Sequence, residues 1–348
     1  MSLKMTFRWY GSDDPVSLAH IRQIPMMSGI VSAVYNVPVG EVWPIESIQA
    51  VRDAAVAHGL EFAVVESVPV HEDIKQGKST RDRLINNYCE NIRRLGGIGI
   101  KVICYNFMPV FDWLRSDLAR PMPDGSKALA YDHEAILSMD PAAGELSLPG
   151  WDESYAKAEL WNLLAGYEGI DEEALWKNFA YFLERIIPAA EEAGVNMAIH
   201  PDDPPWSVFG LPRIITGGES CARMKEICPS TVNGITLCLG SLGASPNNDI
   251  AQIAQDYADR IHFVHARNIK RTGKRSFQES PHPTTCGSLD MYSILKVLYK
   301  AGFDGYIRPD HGRMIWEETG RPGYGLYDRA LGAAYLTGLW EALEKEAK

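Results

Sequence analysis

Residues 261–267 read IHFVHAR and residues 305–311 read GYIRPDH. Both are short runs rich in β-branched and aromatic residues that finish on ligand-type or charged side chains, as expected of buried parallel strands. Side chains alternate along a strand, so His265 and Arg267 share one face while His262 takes the other. His265 lies nearer the C-terminal end and is assigned inward. Arg308 and Asp310 also share a face; His311 has the opposite parity, but alternation relaxes where a strand gives way to its loop.

Six further runs of the same kind precede these two: MTFRWY (5–10), GIVSAVY (29–35), LEFAVVESV (60–68), IKVICYNF (100–107), VNMAIHP (195–201) and GITLCLGS (234–241). Between them lie segments of helical periodicity. PIESIQAVRDAAVAHG (44–59) opens on Pro and closes on Gly, and STRDRLINNYCENIRRLGG (79–97) opens on a Ser or Thr cap. Further helices are expected over 172–194, 251–260, 288–302 and in the C-terminal segment. Strand and helix alternate throughout, which indicates one α/β domain over 1–348 with a parallel sheet. Eight such units favour a closed (β/α)8 TIM barrel over an open doubly wound sheet, and no G-x-G-x-x-G follows the first strand. One connection is anomalous. About residues 108–170 form an insertion after strand four, too long for an ordinary loop and expected to be partly helical; it is read either as a lid over the barrel mouth or as an oligomer contact.

Composition narrows the function. A net charge of −11 disfavours nucleic acid or an anionic membrane as the main partner. No apolar run reaches the roughly 18–20 residues that span a bilayer. MSLKMTFRWY lacks the apolar region of a secretory signal. The six cysteines (Cys89, Cys104, Cys221, Cys228, Cys238, Cys286) show no framework spacing, which points to reduced thiols in the cytoplasm.

In a barrel, the C-terminal ends of the strands and the loops after them build the site. Strand five ends in His200, strand six carries Cys238, strand seven carries His265 and strand eight ends in Asp310 and His311. Taken singly, each has an ordinary structural explanation, and a Cys within ITLCLG most of all. Jointly, two imidazoles, a thiolate and a carboxylate at the same end of four consecutive strands make a divalent-metal shell. Ligand chemistry alone admits zinc, iron(II) or manganese. His282 lies on a loop of the same face and is a candidate substrate contact.

Several motifs carry a resemblance. FRWYG (7–11), HPDDPP (200–205), FVHARN (263–268), the loop with Glu279, His282, Gly287, Asp290 and Met291, RPDHGR (308–313) and PGYGLYDRALG (322–332) occur in this order and spacing. The chain resembles the mannonate dehydratase family of xylose-isomerase-like barrels over essentially its whole length. The resemblance implies dehydration of D-mannonate to 2-keto-3-deoxy-D-gluconate in hexuronate breakdown. It implies a divalent metal, manganese first and iron(II) second, held by His200, Cys238, His265 and Asp310, and a homodimer. It also puts His311 and Tyr324 at the acid–base positions. An imidazole titrates near neutrality and suits either step, whereas a phenol needs a lowered pKa to act as a base. Arg8, Arg267 and Arg313 are candidates for gripping the substrate, since arginine suits bidentate carboxylate contact. A sugar isomerase or epimerase on the same barrel is the enzymatic alternative, and a catalytically silent sugar-acid-binding protein the non-enzymatic one.

Overall fold

In a computed structural model, residues 3–139 and 160–347 are described. Their strands are β1 (Lys4–Arg8), β2 (Met27–Ser32), β3 (Glu61–Glu66), β4 (Val102–Tyr105), β5 (Asp117–Pro121), β6 (Lys127–Tyr131), β7 (Asn196–Ile199), β8 (Asn233–Cys238), β9 (Ile261–His265), β10 (Ile269–Gly273), β11 (Ser276–Glu279) and β12 (Tyr306–Arg308). Eight of them close into a parallel barrel in the order β1-β12-β9-β8-β7-β4-β3-β2. Each expected run supplies one barrel strand. Every residue of β4 and of β8 is buried, as a strand covered by helices outside and by packed side chains inside must be.

Alternation divides the core into two layers. Val31, Val64, Val102, Ala198 and Phe263 fill the barrel interior, while Ile30, Val65, Ile103, Ile199 and Val264 face the helical shell. The helix Glu172–Ala193 shows how that shell forms. Asp171 caps its start by accepting from the Ala174 amide at 2.8 Å, and Gly194, at φ 64°, lets the chain leave it. Its buried stripe, including Leu175, Phe179, Phe182 and Ile186, packs against the helix Arg81–Ile98. Each such side chain contributes about 1.5–3 kcal/mol when fully buried.

Two features depart from the expectation. The first part of the insertion is stranded: β5 and β6 join β10 and β11 in an antiparallel sheet of order β10-β11-β6-β5. Short helices follow at His133–Leu137 and Leu160–Ala165, and the stretch 140–159 of the proposed lid or contact lies outside the described residues. The helix Gly218–Ile227 was also not expected. Both are weakly patterned, since the accessory strands are only four or five residues long and pair across large sequence separations, Ala130 with Gln278 for example.

Register then positions the site. Cys238 on β8 stands opposite His265 on β9, and His265 opposite Arg308 on β12. Three neighbouring strands therefore present these side chains at one height, at the C-terminal rim. Among the described residues no helix is long and apolar enough to cross a membrane.

Candidate active site

A cavity of about 520 Å³ opens at the C-terminal ends of the barrel strands, a size usual for small-molecule sites. His200 lines this cavity, and His200, Cys238 and His265 bring one donor atom each to within 4.8 Å of one another. The orientation of the His200 imidazole is fixed from behind. His200 Nδ1 donates to the Pro201 carbonyl at 2.7 Å, which leaves Nε2 as a lone pair facing His265 Nδ1 at 3.1 Å. His265 Nε2 lies 3.2 Å from Glu66 Oε2, close enough for charge attraction but without hydrogen-bond geometry. The nearby carboxylate favours a proton on Nε2, which leaves Nδ1 as the nitrogen that faces His200. Two lone pairs 3.1 Å apart repel unless a cation, a proton or a metal ion, lies between them.

The other two expected ligands border this pair. Asp310 Oδ2 lies 3.7 Å from Cys238 Sγ and 3.7 Å from His265 Nδ1. β12 ends at Arg308, and the chain turns at Asp310 with φ 58°, a left-handed conformation that few residues but Asn and Asp adopt readily. This turn brings both Asp310 and His311 to the cavity despite their opposite parity in the sequence. Burial opposes ionisation of Asp310, yet Arg308, 2.8 Å from Oδ1, together with His311 and His265 holds it well below the usual carboxylate range. Burial likewise favours a neutral Cys238, but Arg267 and His200 keep the thiol well below its ordinary value. Cys238 reciprocates: against burial, it raises His200 to about 9. The charged forms of this cluster stabilise one another.

Beside it, His311 Nε2 is 2.7 Å from the Tyr324 hydroxyl. Burial raises the Tyr324 phenol above its ordinary value, with Arg308 opposing. The free phenol is therefore not lowered toward a base, and proton exchange with His311 is the route the geometry offers. The indole of Trp113, from the insertion, packs 5.3 Å from the His311 ring.

The four residues named for substrate contact separate into two groups. Arg8 and Arg267 line the cavity. Arg8 leans on Tyr10, 4.8 Å from the ring centroid, and its buried Nε and Nη1 have no hydrogen-bond partner. Arg267 is committed to protein groups: Glu279 at 2.6 Å, Asp203 at 2.7 Å and Asp310 at 2.7 Å. Arg313 and His282 are not among the lining residues. Arg313 pairs with Asp328 at 2.9 Å and with Asp124 at 2.6 Å. His282 Nε2 binds the Pro309 carbonyl at 2.8 Å, which braces the turn before Asp310.

Sequence reading missed several contributors. Glu66 is the last residue of β3, so the strand-end rule that found His265 would have found it too. Arg308 shares a face with Asp310 and was noted for parity alone. Arg115, which grips Asp203 through both of its terminal nitrogens at 2.9 and 3.0 Å, arrives from the insertion with no signal in the sequence.

Closed barrel and rim together define a (β/α)8-barrel enzyme that works at the C-terminal ends of its strands. The sequence profile of the D-mannonate dehydratase (UxuA) family matches residues 3–348, and the chain belongs to that family. It is 60% identical to the mannonate dehydratase of Streptococcus uberis over 348 residues, covering 99% of this chain and 100% of that one. The crystal structure of mannonate dehydratase from Streptococcus suis serotype 2 superimposes with a TM-score of 0.93 at 49% identity, covering 100% of this chain and 96% of that one. An L-ribulose 3-epimerase, 13% identical with a TM-score of 0.56 over 99% of this chain and 97% of that one, shares the fold alone.

Proposed function

We propose that this chain is a hydro-lyase that removes water from D-mannonate to give 2-keto-3-deoxy-D-gluconate, a step of hexuronate catabolism. The observation that carries the site chemistry is the approach of two imidazole nitrogens, His200 Nε2 and His265 Nδ1, to 3.1 Å beside a thiolate and a carboxylate. That donor set fits a divalent metal, manganese first and iron(II) second, held by His200, Cys238, His265 and Asp310. Such a cation supplies positive charge beside the substrate carboxylate, where negative charge grows as C2 loses its proton.

In this reading His311 and Tyr324 are the acid–base pair. One proton leaves C2, the C3–O bond breaks, and the departing hydroxyl takes up one proton to leave as water; the enol that remains tautomerises to the 2-keto acid. The short Tyr324–His311 contact lets the two groups exchange the proton that this balance requires. Arg8, whose buried Nε and Nη1 make no hydrogen bond although Glu66 lies 3.5 Å from Nη1, is the residue we assign to the substrate carboxylate. Arg267 acts by fixing Asp310 and Cys238, and Arg313 and His282 by supporting the rim. A neutral sugar, the substrate of an isomerase or epimerase, brings no carboxylate to accept from those Arg8 nitrogens.

Trp113 and Arg115 support reading the insertion as a wall of the site. A cytoplasmic setting accords with six unpaired cysteines, and a homodimer follows from the family resemblance. Incubating D-mannonate with manganese- or iron(II)-loaded protein tests the function: a 2-keto acid is expected, and no product with either metal would reject it.

A further inference from the structure

Glu279 has no assigned part in the chemistry above, yet it is completely buried against it. It ends β11, on the accessory sheet rather than the barrel. Its Oε1 receives Arg267 Nη1 at 2.6 Å and Arg115 Nη2 at 3.0 Å, and His311 Nδ1 lies 3.3 Å from the same oxygen. Burial opposes its charge, but Arg267, the His311 contact and Arg115 hold the carboxyl down to about 2.

The consequence is one of hydrogen-bond logic. An ionised carboxylate only accepts, so the proton of a neutral His311 must sit on Nδ1. Nε2 is then a lone pair, directed at the Tyr324 hydroxyl 2.7 Å away. We propose that Glu279 is a positioning residue that sets the His311 tautomer and ring orientation, so that Tyr324, His311 and Glu279 act as one chain for proton movement. The inference rests on His311 and Tyr324 being the acid–base pair. Within the chain, a proton passing from the Tyr324 oxygen to Nε2 makes an imidazolium, whose Nδ1–H stays on the carboxylate; Glu279 itself never gains the proton. The geometry also ties the insertion to the chemistry. Arg115 reaches Glu279 from the insertion, so the accessory sheet, its connecting loop and the barrel rim meet on one oxygen atom.

The test is a set of variants assayed as metal-loaded enzyme, with kcat, KM, metal content and thermal midpoint recorded for each. Glu279→Asp keeps the charge that Arg115 and Arg267 require but shortens the reach to His311. We expect kcat to fall roughly tenfold or more, with KM and metal content close to wild type. Glu279→Gln removes the charge and presents a donor that favours the opposite tautomer, and kcat should fall about a hundredfold or more. Because a neutral residue between two buried arginines endangers folding, Glu279→Asp and a double-mutant cycle carry the decision. In a His311→Asn background, Glu279→Asp should produce no further loss, since its effect acts through the imidazole. A fully active Glu279→Asp, or equal losses with and without His311, would overturn the proposal. Full activity of both His311→Asn and Tyr324→Phe would instead reject the acid–base pair beneath it, an outcome told apart by those two single variants.

Discussion

His200 Nε2 lies 3.1 Å from His265 Nδ1; the other nitrogen of His200 donates to the Pro201 carbonyl, and that of His265 lies 3.2 Å from Glu66. The two residues are 65 positions apart in the chain. Barrel closure brings them together, and the Pro201 contact fixes which nitrogen His200 presents. If the two hold a metal as proposed, the outer contacts should matter nearly as much as the ligands themselves.

The acid–base pair should be separable from the metal. His311→Asn and Tyr324→Phe are each expected to lower kcat by roughly 10²–10⁴-fold. Metal content, measured on the same samples, should stay at the wild-type level, because neither residue is one of the four proposed ligands. Loss of metal together with activity would mean that His311 supports the ligand cluster rather than proton transfer.

Arg8 should govern affinity for the acid group. With Arg8→Ala, the charge-assisted contact with the substrate is lost, an effect of about 1.5–3 kcal/mol, or roughly ten- to a hundredfold in kcat/KM. Steady-state kinetics check this, and an unchanged kcat/KM would move the carboxylate elsewhere in the cavity.

Gly240 matters through the space that it leaves. A Cβ there would stand 2.5 Å from Arg267 Cζ, inside the guanidinium that joins Glu279, Asp203 and Asp310. Gly240→Ala should therefore cost about 1–3 kcal/mol of stability. Urea unfolding of the two proteins measures it, and an unchanged midpoint would show that Arg267 shifts without penalty.

His262 supplies a pH dependence away from the site. Its Nε2 donates to the Thr231 carbonyl at 3.0 Å, and burial, with Arg260 adding to it and Asp259 opposing, pushes its pKa down to about 4. The unfolded imidazole titrates near 6.5, so between pH 6.5 and 4 the unfolded chain binds a proton that the folded chain refuses. Stability falls as pH falls through that window, by about 1–2 kcal/mol once solvent screening is allowed for. His262→Gln should flatten the pH dependence of the denaturation midpoint between pH 6.5 and 4; an identical slope in both proteins would remove His262 from the account.

The barrel strands and the meeting of His200, Cys238 and His265 were readable because a strand's period is strict. Parity separated His265, gathered with His200 and Cys238, from His262, turned to Thr231 outside the barrel. Parity could not place His311, because the turn at Asp310 is a backbone event that no side-chain pattern announces. The contact between Arg115 and Glu279 was beyond reach for a different reason. They meet at 3.0 Å across 164 residues, through a sheet of short strands assembled from two loops. Arg313 and His282 look like substrate contacts from their place near the rim, but side-chain direction turns one to Asp328 and the other to Pro309.

The most direct test of a metal centre that serves dehydration is a titration of manganese into chelator-treated protein, with bound metal and 2-keto acid formation from D-mannonate followed together. Activity should be absent at the start, rise in proportion to bound metal and stop rising at one manganese per chain. Full activity in the chelated protein, or activity that ignores the first equivalent bound, would contradict it.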